Sequence, residues 1–111
     1  IYLSHLSRSI IEDNKIVEKQ MAGYGAMISF ELKGNIQKSK KFVNSLQIFQ
    51  LAVSLGDTES LIEYPFAMTH RDYSEKELKK LGLSKKLLRI SVGLETVDDL
   101  INDLKQAFSK I

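Results

Sequence analysis

Cysteine is missing altogether from the 111 residues; proline occurs once, at Pro65, and histidine twice, at His5 and His70. The first absence excludes a disulfide framework, a thiolate nucleophile and a cysteine-ligated zinc. The two histidines lie too far apart in sequence to form a local metal motif, so no metal is expected. Arginine is scarce too. Only Arg8, Arg71 and Arg89 accompany the lysines, and 16 Lys+Arg against 14 Asp+Glu leave a formal net charge of +2. No basic stripe with interleaved aromatics is present, which argues against nucleic acid as a partner. No apolar run approaches the length of a membrane span and no signal-peptide pattern opens the chain. No membrane partner is therefore expected, and a reducing cytoplasm is the expected location. The chain opens as "IYLSHL", without an initiator methionine, and is expected to be a piece of something longer.

What is present is an ordinary globular composition, 43% hydrophobic and 27% charged, in a length suited to one domain with its own core. Residues 9–21 place Ile10, Ile11, Ile16, Val17 and Met21 mostly at helical spacings, and Gly23 and Gly25 end that helix. "YGAMISFELKG" reads as a strand with Ala26, Ile28, Phe30 and Leu32 on one face and a turn at Gly34-Asn35. "IQKSKKFVNSL" returns to helical spacing, and "QIFQLAVSLG" reads as a short strand ending at a glycine. A loop with a short strand around Leu61 to Tyr64 follows. "SEKELKKLG" carries its own start and stop: a capping box from Ser74 to Glu77, then Gly82 for the left-handed position, with Leu83 as its apolar contact. The last helix starts at a T-x-x-D box, Thr96 to Asp99, and aligns Leu100, Ile101, Leu104, Ala107, Phe108 and Ile111 on one face. Strands with one apolar face, separated by one-faced helices, predict an α+β fold: a two-layer sandwich with a mostly antiparallel sheet and helices on one face.

Chemistry is sparse along this chain. The glycines form no phosphate-binding loop. His70 with Ser54 or Ser91 lacks a nucleophile-elbow context, and Asp98-Asp99 are charges suited to a helix start rather than an acid/base pair. Two stretches stand out. "VSLGDTESLIEYPFAMTH" is long and irregular, and Ser54 and Gly56 end a strand there, where a hydroxyl and backbone N–H groups can meet a ligand. "LLRISVGLE", read as a strand from Leu87 to Glu95, sets Leu88, Ile90, Val92 and Leu94 on one face and Arg89 on the other. Arg89 either points into water or clamps a carboxylate with its planar fork, a task for arginine rather than lysine.

These residues carry a resemblance. "GYGAMISFEL", "LAVSLGDTESLI" with the later "MTH", and "LLRISVGLETVDDLINDLKQAF" closely resemble the C-terminal part of the Cys/Met-metabolism family of pyridoxal-phosphate enzymes, over nearly the whole chain. That family includes cystathionine γ-synthase, cystathionine γ-lyase, methionine γ-lyase and O-acetylhomoserine sulfhydrylase. The resemblance implies a single small C-terminal α+β domain over residues 1–111, of the kind that follows the large cofactor domain in fold-type I enzymes. The large domain, absent from this chain, supplies the Schiff-base lysine, the aspartate at the pyridinium nitrogen and the phosphate cup, so the segment alone is expected to be inactive. It further implies that Arg89, the arginine of the family's R-I/L-S-V/T-G-I/L-E motif, binds the substrate α-carboxylate. By the same resemblance Ser54 of the S-L-G motif lies beside the catalytic lysine and that carboxylate, and Thr69 and His70 of "MTH" are second-tier candidates near the active site. The clamp orients the amino acid so that its Cα–H bond stands perpendicular to the cofactor ring.

Within the family, Val53 before the serine favours an uncharged, thioether-like substrate, because an apolar wall does not hold a second ammonium group. The expected activity is therefore a methionine γ-lyase-like γ-elimination on a sulfur amino acid, in a homotetramer. Cystathionine γ-synthase or γ-lyase chemistry and O-acetylhomoserine sulfhydrylase chemistry are the alternatives. A reading of another class is a freestanding non-catalytic domain that binds a carboxylate or a partner chain carrying the cofactor half. The chain departs from the family pattern at its start, where "IYLSHLSRSI" replaces Y-P-G-L-x-S-H-P. It departs again at Tyr64-Pro65 and Ala67, where the family reads H-P-x-S.

Overall fold

The computed structural model describes residues 19–20, 22–23, 25–68, 73–80 and 84–111. The expected helix over 9–21 lies largely outside them, although Lys19 and Gln20 are helical; Gly82 and Leu83 also lie outside the described residues. Strands β1 (Met27–Glu31), β2 (Gln50–Leu51), β3 (Leu61–Glu63) and β4 (Leu87–Ser91) form one sheet in the order β1-β4-β3-β2. Helices α1 (Ile36–Val43), α2 (Pro65–Met68), α3 (Glu75–Lys80) and α4 (Val97–Phe108) connect and follow them. The result is a mixed α/β small domain. β4 pairs antiparallel with β1 and β3, while β2 runs parallel to β3.

The alternation of side chains along each strand explains the core. Ile28 lies opposite Ile90 and Phe30 opposite Leu88 on one flank of β4, and Ile62 lies opposite Ile90 on the other. Directly paired residues share a face, so these five make one apolar surface. Phe42 and Val43 of α1 and Leu100 and Ala107 of α4 join the same core, with Leu104 and Phe108 packed against it. Phe42 is fully buried, meets Phe30 edge-on with ring centres 6.2 Å apart, and lies 4.6 Å from the Phe108 ring centre, separations typical of favourable aromatic pairs.

Local signals set the helix starts. Asn35 caps α1, its side chain accepting the Lys38 N–H at 3.1 Å. The capping box of α3 forms as its spacing predicts. The Ser74 hydroxyl and N–H donate to Glu77 Oε2 at 2.6 and 2.8 Å, and the Glu77 N–H donates back at 3.4 Å. Those two donors hold the Glu77 carboxyl below the usual carboxylate range.

Elsewhere tertiary contacts override the local pattern. β4 ends at Ser91 rather than Glu95, and Leu94 is 82% exposed instead of facing the core. The reason lies beyond Ser91, where the chain leans on the 58–60 segment and the Leu94 N–H donates to the Thr58 carbonyl at 2.8 Å. Thr96 caps α4 without its side chain: the Asp99 and Leu100 N–H groups bond its backbone carbonyl at 3.0 and 3.1 Å. On α4, Ile101 is 41% exposed and Asp103 is buried at 4%, so the inward stripe runs through Leu100, Asp103 and Ala107. The Asp103 carboxylate accepts the N–H groups of Gln47, Ile48 and Phe49 at 2.9, 2.8 and 3.2 Å, and the Gln106 amide at 2.8 Å. This is why "QIFQLAVSLG" contributes only Gln50–Leu51 to the sheet: the three preceding amides turn toward a carboxylate instead of a neighbouring strand. The loop expected after Tyr64 contains α2, which starts with Pro65, a residue suited to a first helical position because its missing N–H would have no intrahelical partner there.

Candidate functional site

The face of β4 opposite the core carries Arg89 and Ser91. Cross-strand pairing sets Ser29 of β1 on one side of Arg89 and Glu63 of β3 on the other. The Arg89 guanidinium forms an ion pair through Nη2 with Glu63 Oε2, and the two side chains are 31% and 5% exposed. Arg89 is thus not a strand residue merely pointing into water. A carboxylate as buried as Glu63 requires a cationic or hydrogen-bonding partner, and a guanidinium presents five donors in a planar fork. It can hold Glu63 with one nitrogen and still reach the surface. It is the only arginine among the described residues.

Every residue of the 53–59 loop is exposed, and the loop is tied to this strand. The Gly56 N–H donates to Ser91 Oγ at 2.9 Å. Gly56 has φ +75°, a left-handed conformation that glycine adopts without steric cost. Further on, the Ser60 N–H and hydroxyl donate to the two oxygens of Glu95 at 2.6 and 2.7 Å, and the Gly93 N–H donates to Ser60 Oγ at 2.8 Å. The Ser60 N–H and hydroxyl hold the Glu95 carboxyl below the usual range. Gly93 is required by close approach: a Cβ there would meet the Thr58 carbonyl oxygen, and would lie 2.6 Å from the Glu59 carbonyl carbon and the Ser60 nitrogen.

Of the residues singled out in the sequence, Arg89 sits in this partly open ion pair, and Ser54 and Val53 are exposed on the loop just before Gly56, Val53 at 54%. The Gly56–Ser91 bond brings their loop onto the strand that carries Arg89. Thr69 and His70 lie outside the described residues. Sequence reasoning passed over Glu63, Ser60 and Glu95. Two signals were present: Ser91, Gly93 and Glu95 continue the two-residue period of Arg89, and Glu63 follows Leu61 at the same period. Asp98 and Asp99 are exposed in the first turn of α4. Among the described residues, no group of three His, Cys, Asp or Glu is arranged to hold a metal ion, and no helix is long and apolar enough to cross a membrane.

The sequence profile of the Cys/Met metabolism PLP-dependent enzymes matches residues 5–109. The chain belongs to that family. Its relatives include the L-methionine γ-lyase of Fusobacterium nucleatum subsp. polymorphum, 51% identical over 88% of this chain and 25% of the relative. The cystathionine γ-lyase of Dictyostelium discoideum is 46% identical over 87% of this chain and 25% of its own length. The crystal structure of cystathionine γ-synthase from Xanthomonas oryzae pv. oryzae in complex with cystathionine superposes with a TM-score of 0.81 at 41% identity, over 88% of this chain and 25% of that one. The chain spans about a quarter of the length of the curated relatives it matches. The family uses pyridoxal phosphate, whose aldehyde requires a lysine amine, usually desolvated. Among the described residues every lysine with a placed side chain is exposed or half-buried. None of these lysines is desolvated by the described residues.

Proposed function

We propose that residues 1–111 are the small C-terminal domain of a PLP-dependent sulfur amino-acid lyase of methionine γ-lyase type, and that this domain holds the substrate's α-carboxylate. The observation that carries the reading is the Arg89 guanidinium, fixed from one side by buried Glu63 and 31% exposed on the other. A fork held in this way loses little freedom when a second carboxylate arrives, so it can bind and orient an amino acid. Ser54 contributes a hydroxyl beside that carboxylate, and Thr69 and His70, outside the described residues, are further candidates to tune substrate choice. Val53 presents an apolar wall, which suits a thioether side chain and leaves a second ammonium group without a partner. Cystathionine and O-acetylhomoserine chemistries stand as the alternatives within the family. The cofactor, its lysine and its phosphate contacts belong to a large domain on the same or a companion chain, in a homotetramer. For the fold, we infer two layers, with α1 and α4 covering the Ile62–Leu88–Ile90 face of the sheet. A freestanding carboxylate-binding domain is the reading of another class.

The test is Arg89→Lys in the full-length enzyme. A lysine point charge replaces a bidentate charge-assisted contact worth about 1.5–3 kcal/mol, so kcat/KM for L-methionine should fall about 10- to 100-fold while cofactor absorbance persists. Kinetics matching the parent would sink the carboxylate reading.

A further inference from the structure

The polar side of "RISVGLE" holds more than Arg89. At alternate positions beyond it, Ser91, Gly93 and Glu95 each bond the loop that carries Ser54. Ser91 takes the Gly56 N–H, the Gly93 N–H donates to the Ser60 hydroxyl oxygen, and Glu95 accepts both the N–H and the hydroxyl of Ser60. Ser60, at the end of the loop, is fully buried, whereas residues 53–59 are all exposed. Burial therefore supplies little to hold this loop in place. Its position rests on polar anchors at Gly56 in its middle, at the Thr58 carbonyl, which accepts the Leu94 N–H, and at Ser60 at its end, and Glu95 is the charged member that accepts two bonds at once.

We propose that Ser60 and Glu95 are positioning residues: their clasp, with Ser91 on Gly56, sets the Val53–Ser54 segment beside Arg89 on β4. Adjacent same-face positions on a strand are roughly 7 Å apart, so anchoring Gly56 at Ser91 brings the loop within side-chain reach of the arginine. Neither Ser60 nor Glu95 touches substrate in this arrangement; both act through the backbone of the loop. The inference rests on the reading of Arg89 as the carboxylate-binding residue.

The experiment uses the full-length holoenzyme, with L-methionine as substrate, and compares Glu95→Ala, Glu95→Gln, Ser60→Ala and Arg89→Lys. A catalytic group displaced by about 1 Å can cost up to ~100-fold in rate. Glu95→Ala and Ser60→Ala are expected to lower kcat at least tenfold while KM stays within about threefold, because Arg89 still grips the carboxylate. Glu95→Gln, which keeps one acceptor oxygen, should recover part of the loss and serves if the alanine variant does not fold. Arg89→Lys should differ by raising KM well beyond threefold, as the grip on the carboxylate loosens, along with any loss in kcat. A core variant, Leu104→Ala, matched for melting temperature, controls for general loosening. If kcat in the Ser60 and Glu95 variants stays within twofold of the parent while Arg89→Lys is impaired, the clasp is refuted and the carboxylate reading survives. A kcat loss no larger than that of Leu104→Ala refutes it equally. Parent-like kinetics in Arg89→Lys would overturn the underlying reading and this inference with it.

Discussion

Replacing Asp103 with alanine removes the acceptor for three consecutive backbone N–H groups, those of Gln47, Ile48 and Phe49, and for the Gln106 amide. Asp103 is 4% exposed, so water does not simply take its place. Each hydrogen bond to a charged group is worth about 1.5–3 kcal/mol, and a buried donor left without an acceptor costs about 1–3 kcal/mol. The backbone can relax and Gln106 also donates to the Ser45 carbonyl at 2.6 Å, so the full sum is not expected. We predict a loss of about 3 kcal/mol for Asp103→Ala and about 2 kcal/mol for Asp103→Asn, which keeps the size but only one acceptor oxygen. Native-state hydrogen exchange reads the effect where it arises: the amides of residues 47–49 should exchange about 100-fold faster in Asp103→Ala, since ~1.4 kcal/mol is tenfold. Burial opposes the charge on Asp103, but the N–H groups of Ile48 and Gln47, the Gln106 amide and the Phe49 N–H together outweigh it and hold the carboxyl below the usual range. A depressed folded-state value means that this stabilisation is fully present above the unfolded value of about 3.9 and is lost as pH falls through the folded one. The parent should therefore lose its advantage over Asp103→Asn in acid. Unchanged protection at residues 47–49, or an advantage that does not shrink as pH falls below about 3.9, would refute the reasoning.

Two further outcomes follow from burial. Ser39 lies in α1, its hydroxyl is fully buried, and no described residue accepts or offers it a hydrogen bond. Ser39→Ala should therefore stabilise the domain by about 1 kcal/mol in urea unfolding, since it removes a desolvated hydroxyl and improves helix propensity; a destabilised variant would contradict this. Gly93→Ala pushes a methyl against the backbone of residues 58–60, which cannot yield as a flexible side chain would. It should cost about 1–3 kcal/mol and speed amide exchange at Ser60 and Leu94, and a silent substitution would contradict so close an approach.

Much of the fold was legible because local chemistry and burial agreed. The alternation in β1 and the first half of "LLRISVGLE" named Ile28, Phe30, Leu88 and Ile90 as one face, and the pairing register unites them. The S-x-x-E spacing at Ser74 named a cap that forms without tertiary help. Where the reading failed, a distant group competed. Thr96 and Asp99 have the spacing of a box, yet the backbone carbonyl alone takes the N–H groups. Ile101 has the spacing of a core residue, yet the inward position goes to Asp103, because amides 55 residues away in sequence need an acceptor.

For the candidate site the division is similar. Composition and spacing alone marked Arg89 as the unusual residue of its strand and left two meanings for it, water or carboxylate. Which residue stands beside an arginine depends on strand order and register, and neither is encoded in the strand's own sequence. Only the assembled sheet put Glu63 opposite Arg89 and turned Ser91, Gly93 and Glu95 toward the loop of Ser54. Periodicity is a property of neighbours along the chain, so the sequence by itself determined the faces of the elements. Pairing, and with it the surroundings of each charge, is settled by contacts between segments, and that the tertiary structure decided.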